Sequence, residues 1–196
     1  MKEYPVNEIF YSLQGEGVNA GKPAIFIRFS GCNLRCPFCD TEHLSHELMS
    51  IDRILEKIET YAPCRFVVLT GGEPSLFIDE NFISRLSELG FNIAIETNGT
   101  HDLPDGINHV TLSPKDDFCP DATPVLQHCD ELKVVYCGQS DLNKYDNIEA
   151  TERLIQPCDT GNPEQNSKLI DEAITFCKAN PQWRLSLQLH KILNIR

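Results

Sequence analysis

Along the chain the apolar positions gather into short, nearly continuous runs rich in β-branched residues, separated by stretches where they recur at helical spacing. The runs are AIFIRF at 24–29, RFVVLT at 65–70, NIAIET at 92–97, HVTLS at 109–113, ELKVVY at 131–136 and RLSLQL at 184–189. Runs of this length suit parallel strands covered on both faces. In SIDRILEKIETYA, Ile51, Ile54, Leu55 and Ile58 share one helical face and Ser50 stands at the N-cap. DENFISRLSELG groups Phe82, Ile83, Leu86 and Leu89 and stops at Gly90. A third helix is capped by Asn162, carries Pro163 in its first turn, aligns Leu169, Ile170, Ala173, Ile174 and Cys177, and ends before Pro181.

Strand, helix, strand repetition predicts right-handed crossovers and a parallel sheet. The stretch from Gly99 to His109 is too short for a loop plus a helix, and KDDFCPDATPVLQHCD reads as an irregular connection. The expected fold is therefore α/β, a partial (β/α) barrel of about six mainly parallel strands with reduced helices. No linker, repeat or low-complexity tract divides it, so residues 1–196 are expected to form one domain. In barrels of this kind the chemistry collects at the carboxyl ends of the strands.

Charge narrows the classes of partner. With 17 basic against 29 acidic residues and a net charge of −12, the chain repels a phosphate backbone, and no basic run offsets this. Nucleic acid is excluded as the expected partner. The start MKEYPVNEIF lacks the basic end and apolar run of a secretory signal, and no apolar stretch approaches the roughly 20 residues of a membrane helix. A cytoplasmic protein without a membrane span is expected. In that reducing setting nine cysteines are not a disulfide framework, and an odd number cannot all pair within one chain.

Three of those cysteines lie together in GCNLRCPFCDT, directly after the first apolar run. The spacing C-x3-C-x2-C of Cys32, Cys36 and Cys39 admits two chemistries. With His43 as a fourth ligand it makes a Cys3His zinc site, and the chain is then a zinc-stabilised interaction module. A 4Fe-4S cluster instead has one ligand site per iron, so three thiolates leave one iron open to a small chelating molecule.

An aromatic residue, Phe38, precedes the third cysteine, and TGGEP at 70–74 closes the second run. Alone, Gly71-Gly72 is an ordinary strand-to-helix turn. In this order the two motifs resemble radical S-adenosylmethionine (SAM) enzymes. The likeness extends through YSLQGEG (11–17), Arg28, CDT (39–41), IETNG (95–99), LSPK (112–115), ELKVVY, QPCD (156–159) and SLQLHK (186–191). This set is similar to the 7-carboxy-7-deazaguanine synthase family.

The resemblance implies a reduced parallel barrel that converts 6-carboxytetrahydropterin to 7-carboxy-7-deazaguanine with loss of ammonia, on the route to queuosine. It implies Cys32, Cys36 and Cys39 as cluster ligands, and Phe38, Asp40, Gly72, Glu73, Ser113, Pro114, Lys115, Gln156, Pro157, Cys158 and Asp159 as cofactor-contacting positions. Thr41 matches a magnesium position, with the Asp40 carboxylate as the alternative oxygen ligand. Leu13, Gln14, Gly15, Glu16, Arg28, Thr70, Gln188, His190 and Arg196 match substrate-contacting positions, and Glu96 is the candidate catalytic carboxylate. Arg28 alternates with apolar neighbours, and a buried arginine without a partner is costly, which favours an anionic ligand for it. Gln188 and His190 are expected on the last strand, where a hydrogen-bonded core histidine is the alternative to substrate contact. The family further implies a flavodoxin or ferredoxin-type reductant and a homodimer. Cys64, Cys119, Cys129, Cys137 and Cys177, and Cys158 by its spacing alone, read as ordinary small residues.

Overall fold

The computed structural model describes residues 2–39, 41, 45–139 and 141–196. Its strands are β1 (Glu3–Leu13), β2 (Pro23–Phe29), β3 (Glu47–Ser50), β4 (Phe66–Gly71), β5 (Asn92–Thr97), β6 (His109–Leu112), β7 (His128–Tyr136), β8 (Glu149–Pro157) and β9 (Trp183–Leu185). Its α-helices are α1 (Ile51–Glu59), α2 (Glu80–Glu88), α3 (Pro163–Ala179) and α4 (Leu189–Leu193). The described strands make one sheet in the order β3-β1-β2-β4-β5-β6-β7-β8-β9. From β2 to β9 every junction is parallel, whereas β1 pairs antiparallel with both β2 and β3. This is the expected partial barrel with few helices.

Strand alternation sorts each run into two faces. Ile25, Ile27, Phe29, Val67, Leu69, Ile93 and Ile95 turn outward and pack against Ile54 and Ile58 of α1 and Phe82, Ile83 and Leu86 of α2. Each such side chain, fully buried, stabilises the fold by roughly 1.5–3 kcal/mol relative to exposure. Around β7 and β8, Leu132, Val134 and Ile155 pack with Ala173 and Trp183 in the same way. The interleaved residues face the lumen. Phe10, Ala24, Phe26, Phe66, Val68 and Ala94 form a small apolar floor there, and parity then carries Arg28, Thr70, Glu96 and Lys133 to the inside of the mouth.

The helix starts follow their caps: Ser50 Oγ accepts from Arg53 N at 3.4 Å, Asp79 Oδ1 from Phe82 N at 2.9 Å, and Asn162 Oδ1 from Glu164 N at 3.0 Å. Leu89 and Ile174, expected on buried faces, are exposed, Leu89 because α2 has already ended and it serves as the C-cap. As expected, 100–108 carries no helix and 115–127 is irregular; the latter is shorter than anticipated because β7 begins at His128.

Three strands lack a counterpart in the apolar pattern. In β1 only Tyr4, Val6 and Phe10 are buried, Pro5 interrupts the run, and the register shifts between Val6 and Glu8. The pattern of β3 is too short to stand out. In β8 the charges of the first half hide the strand, yet they are accommodated: Glu149 meets His128 at 2.9 Å, and Arg153 donates to the carbonyls of Tyr145 and Ile148. The last strand is also shorter than expected. Ser186 N still donates to Ile155 O, but Leu189 N turns to Gly15 O at 2.8 Å and the chain enters α4. Gln188 is thus the cap of that helix and His190 lies within it, not on a strand. Among the described residues no helix is long and apolar enough to cross a membrane.

Candidate active site

Two adjoining cavities open at the carboxyl ends of the parallel strands. The first is lined by Cys32, Cys36, Phe38 and Cys39 from the loop after β2, Gly72 and Glu73 after β4, Ser113 and Lys115 after β6, and Gln156, Pro157, Cys158 and Asp159 at the end of β8. The second, of about 510 Å³, is lined by Leu13 at the end of β1 with Gln14 and Gly15 after it, by Arg28, and by His190 and Arg196 from the C-terminal segment. Glu16, Thr41, Thr70, Gly71, Glu96, Gln188 and Lys191 line both, so they form the wall between them. Residues far apart in sequence therefore converge on these two cavities. Pro114 is buried and lines neither cavity. Asp40 and His43 lie outside the described residues.

The cysteine loop is welded to the Gly-Gly loop by main chain. Gly72 N donates to Phe29 O at 3.0 Å and Glu73 N to Gly31 O at 2.9 Å. A Cβ on Gly72 would lie 1.9 Å from Gly31 O, and Gly71 holds φ +114 with an imaginary Cβ 2.2 Å from Phe29 O, so both positions require glycine. Glu73 is 1% exposed and spends its carboxylate on Thr97 Oγ1 at 2.6 Å, Asn98 N at 2.7 Å and Ser75 N at 3.1 Å. Its side chain fixes the loops of β4 and β5 and is already satisfied by the protein.

Burial pushes the Cys32 thiol up, and it pushes Cys36 up to about 12 against the pull of the Lys115 charge. Ligation to a metal centre would deprotonate such thiols. Three sulfurs on the rim of one cavity, faced by Lys115 and Ser113, are a soft donor set that fits an iron-sulfur cluster. Among the described residues, no three His, Cys, Asp or Glu groups are gathered at the reach of a single ion. Lys115 is not a solvated surface lysine: its Nζ donates to Ser113 Oγ at 2.6 Å, and burial lowers its pKa.

Between the cavities lies a charged centre in which the expected site residues Glu16 and Glu96 meet a lysine that the sequence reading did not single out. Lys133, 3% exposed, donates to Glu16 Oε2 and Glu96 Oε2, both at 2.8 Å. Gln188 Nε2 donates to Glu16 Oε1 at 3.0 Å, and Gln14 Nε2 to Glu96 Oε1 at 3.2 Å. Burial opposes ionisation of Glu16, but Lys133 and the Gln188 amide overcome it and hold this carboxyl at about 2. At Glu96 burial prevails over Lys133, helped by the negative charge of Glu16, and the carboxyl is raised. Lys133 itself stays well above its ordinary value, because the carboxylates outweigh its burial. The signal was present in ELKVVY, where charged Glu131 and Lys133 interleave with buried Leu132 and Val134.

Arg28 is not unpartnered, as its apolar neighbours had suggested. Its Nε donates to Glu8 Oε1 at 3.0 Å, and Glu8 Oε2 accepts from Arg196 Nη2 at 2.6 Å. Glu8 sits on the strand that the apolar pattern missed, which is why this ion pair was missed too. Both guanidinium groups lie over the Phe10 ring, at 5.7 and 5.4 Å from its centroid. In the lining of the first cavity, Gln156 Oε1 accepts from Ser186 Oγ at 2.8 Å, and Asp159 pairs with Lys191 at 2.8 Å, which holds its carboxyl below the usual range.

A profile of the Radical SAM superfamily matches residues 26–115 of this chain. The 7-carboxy-7-deazaguanine synthase of Bacteroides thetaiotaomicron is 49% identical over 191 residues, spanning 97% of this chain and 98% of its own length. The 7-carboxy-7-deazaguanine synthase of Burkholderia multivorans is 42% identical over 214 residues, with 98% and 99% covered. Among solved structures, QueE from Escherichia coli superposes with a TM-score of 0.76 at 29% identity over 96% of this chain and 95% of that one. A zinc-stabilised module accounts for none of these relationships.

Proposed function

The chain belongs to the 7-carboxy-7-deazaguanine synthases of the radical SAM superfamily, and we propose that its first cavity receives a 4Fe-4S cluster with SAM and its second receives 6-carboxytetrahydropterin. The enzyme is a carbon-nitrogen lyase of queuosine biosynthesis that yields 7-carboxy-7-deazaguanine and ammonia. The observation that carries the assignment of the cavities is their shared wall: cysteine thiols line one side, anion-pairing and amide groups line the other, and Thr41, Thr70, Glu16 and Glu96 stand between.

Cys32, Cys36 and Cys39 hold the cluster, and Ser113, Lys115 and Gln156 offer polar groups to SAM. A cluster held there would supply the electron for reductive cleavage of SAM, the radical chemistry of this superfamily. In the second cavity Arg28 pairs with the substrate carboxylate through guanidinium nitrogens not used by Glu8. Glu16, kept ionised by Lys133, accepts from the N–H groups of the aminopyrimidinone edge, beside the amides of Gln14 and Gln188. Glu96 has a raised pKa and faces both cavities, so its carboxyl can hold and return a proton at the reacting end of the substrate. Thr41 Oγ1 would offer a protein oxygen to a magnesium ion that helps position the substrate. The whole chain acts as one catalytic unit, a homodimer served by a flavodoxin or ferredoxin-type reductant.

The test is anaerobic purification, an absorption spectrum with iron and sulfide analysis, and then turnover of 6-carboxytetrahydropterin with deoxyadenosine measured alongside. A brown protein that forms 7-carboxy-7-deazaguanine is expected; a colourless protein with one zinc would end the reading. Arg28→Met should lose roughly 2 to 5 kcal/mol of substrate and transition-state positioning while SAM still binds. Normal turnover by that variant would remove Arg28 from its role and leave the activity intact.

A further inference from the structure

Cys119 has no ligand spacing in the sequence, but its place in the fold is particular. A turn after β6 brings Phe118 N and Cys119 N to the carbonyl of Lys115, at 2.9 and 3.0 Å. This lodges Cys119, 7% exposed, under the cysteine loop with Leu34 and Ala122, and with Cys32 and Cys36 packed against the group. The Phe118 ring meets Phe38 edge-on at 4.7 Å between centroids, which adds to the apolar cover on this side. Within that cover the Cys119 thiol donates to Cys36 Sγ at a sulfur-to-sulfur distance of 3.9 Å. Cys119 does not line the cavity itself. It stands behind a ligand and does not compete with it.

We infer that Cys119 is a positioning residue for the cluster, whose thiol donates a hydrogen bond to the Cys36 sulfur and raises the cluster's reduction potential. The inference rests on the reading of Cys36 as a cluster ligand. A thiol-to-thiol contact is weak, but once Cys36 is a ligating thiolate the acceptor carries charge and the bond strengthens. The low dielectric of the apolar cover strengthens it further. Reduction adds negative charge to the cluster and its sulfurs, so a donor aimed at one of them stabilises the reduced form more than the oxidised form. Cys32 has a main-chain counterpart: Leu34 N donates to its sulfur at 3.4 Å. Of these two donors, the one to Cys36 comes from a side chain, which substitution can remove.

The experiment is an EPR-monitored redox titration of the reconstituted protein, without SAM, for wild type, Cys119→Ala and Cys119→Ser, each with its iron and sulfide content measured. Cys119→Ala should keep the cluster and titrate at a more negative potential, whereas Cys119→Ser, which retains a donor, should stay near wild type. If alanine collapses the loop and iron uptake fails, Cys119→Val fills the space without a donor and carries the same expectation. An unchanged potential in a fully loaded donor-less variant, or a serine variant that shifts as far as alanine, would overturn the inference. A wild-type protein that takes up no 4Fe-4S cluster would overturn the reading of the site and this inference with it.

Discussion

Thr41 stands where the cavities meet, so its hydroxyl can serve a metal ion that touches substrate without disturbing the cysteine rim. Thr41→Val keeps the shape and removes the oxygen. Turnover should fall about 10- to 100-fold through mispositioned substrate, while the cluster absorbance persists. An unaltered magnesium dependence of the rate in that variant would move the role away from Thr41. The cysteines divide in the same residue-by-residue way. Alanine at Cys32, Cys36 or Cys39 should abolish cluster absorbance and SAM cleavage together, because each removes one of the three proposed ligands. Cys177 packs against the cluster of apolar residues around β7 and β8, and Cys177→Ala should leave both readouts intact. Full activity in any variant of the cysteine loop would end its assignment as ligand.

At the scale of elements, the loops after β2 and β4 work as one piece, because parallel neighbours deliver both to the same end of the sheet. Their contact is backbone against backbone, and the space between Gly72 and Gly31 O has no room for a methyl group. Gly72→Ala should cost about 1–3 kcal/mol through overpacking and should lower iron uptake, since the cysteine loop must shift to admit it. Urea midpoints of the apoprotein and iron content after reconstitution read these separately. A variant with wild-type values in both would show that the loops can part freely. The same scale explains which elements were legible. Parallel strands covered on both faces keep apolar residues at nearly every position and stand out, whereas β1 and β8 carry Glu, Arg, Asn or Pro at positions that only tertiary partners make acceptable. The leucine pair in SLQL resembles strand alternation, yet the turn of Leu189 toward Gly15 ends the sheet there.

Across the whole molecule Lys133 ties together the loop after β1, β5 and β7. Glu16 titrates at about 2 in the fold against an ordinary 4.5, so its pairing stabilises the protein above pH 4.5 and is lost as pH falls from there through about 2. Glu96 works in the opposite sense. Its raised pKa contributes stability that is present below 4.5 and lost as pH rises through the folded value. Lys133→Met removes the counter-charge of both carboxylates, at a cost of about 3–5 kcal/mol near neutrality. The acid-side loss due to Glu16 should then reverse, because burial without the counter-charge raises its carboxyl: between pH 5 and 3, urea unfolding should show wild-type apoprotein losing at least about 2 kcal/mol more than the variant. Equal losses in the two proteins would mean that Lys133 is not what depresses Glu16.

What the amino-acid order determined by itself was local or periodic: the cysteine spacing, the glycine pair, the helix caps, and the strand parity that sends Arg28, Thr70 and Glu96 inward. Those features need only neighbours within a turn or along a strand, so one dimension records them. Tertiary structure alone decided who meets whom across the barrel. Glu8 reaches Arg28 only because β1 adds antiparallel to β2, Lys133 reaches Glu16 only because the loop after β1 crosses to the far strands, and Cys119 reaches Cys36 across a separation of 83 residues. Charge pairing and burial at such separations leave no period in the sequence, because the free energy that selects them arises only after the sheet has curved and its mouth has closed around these groups.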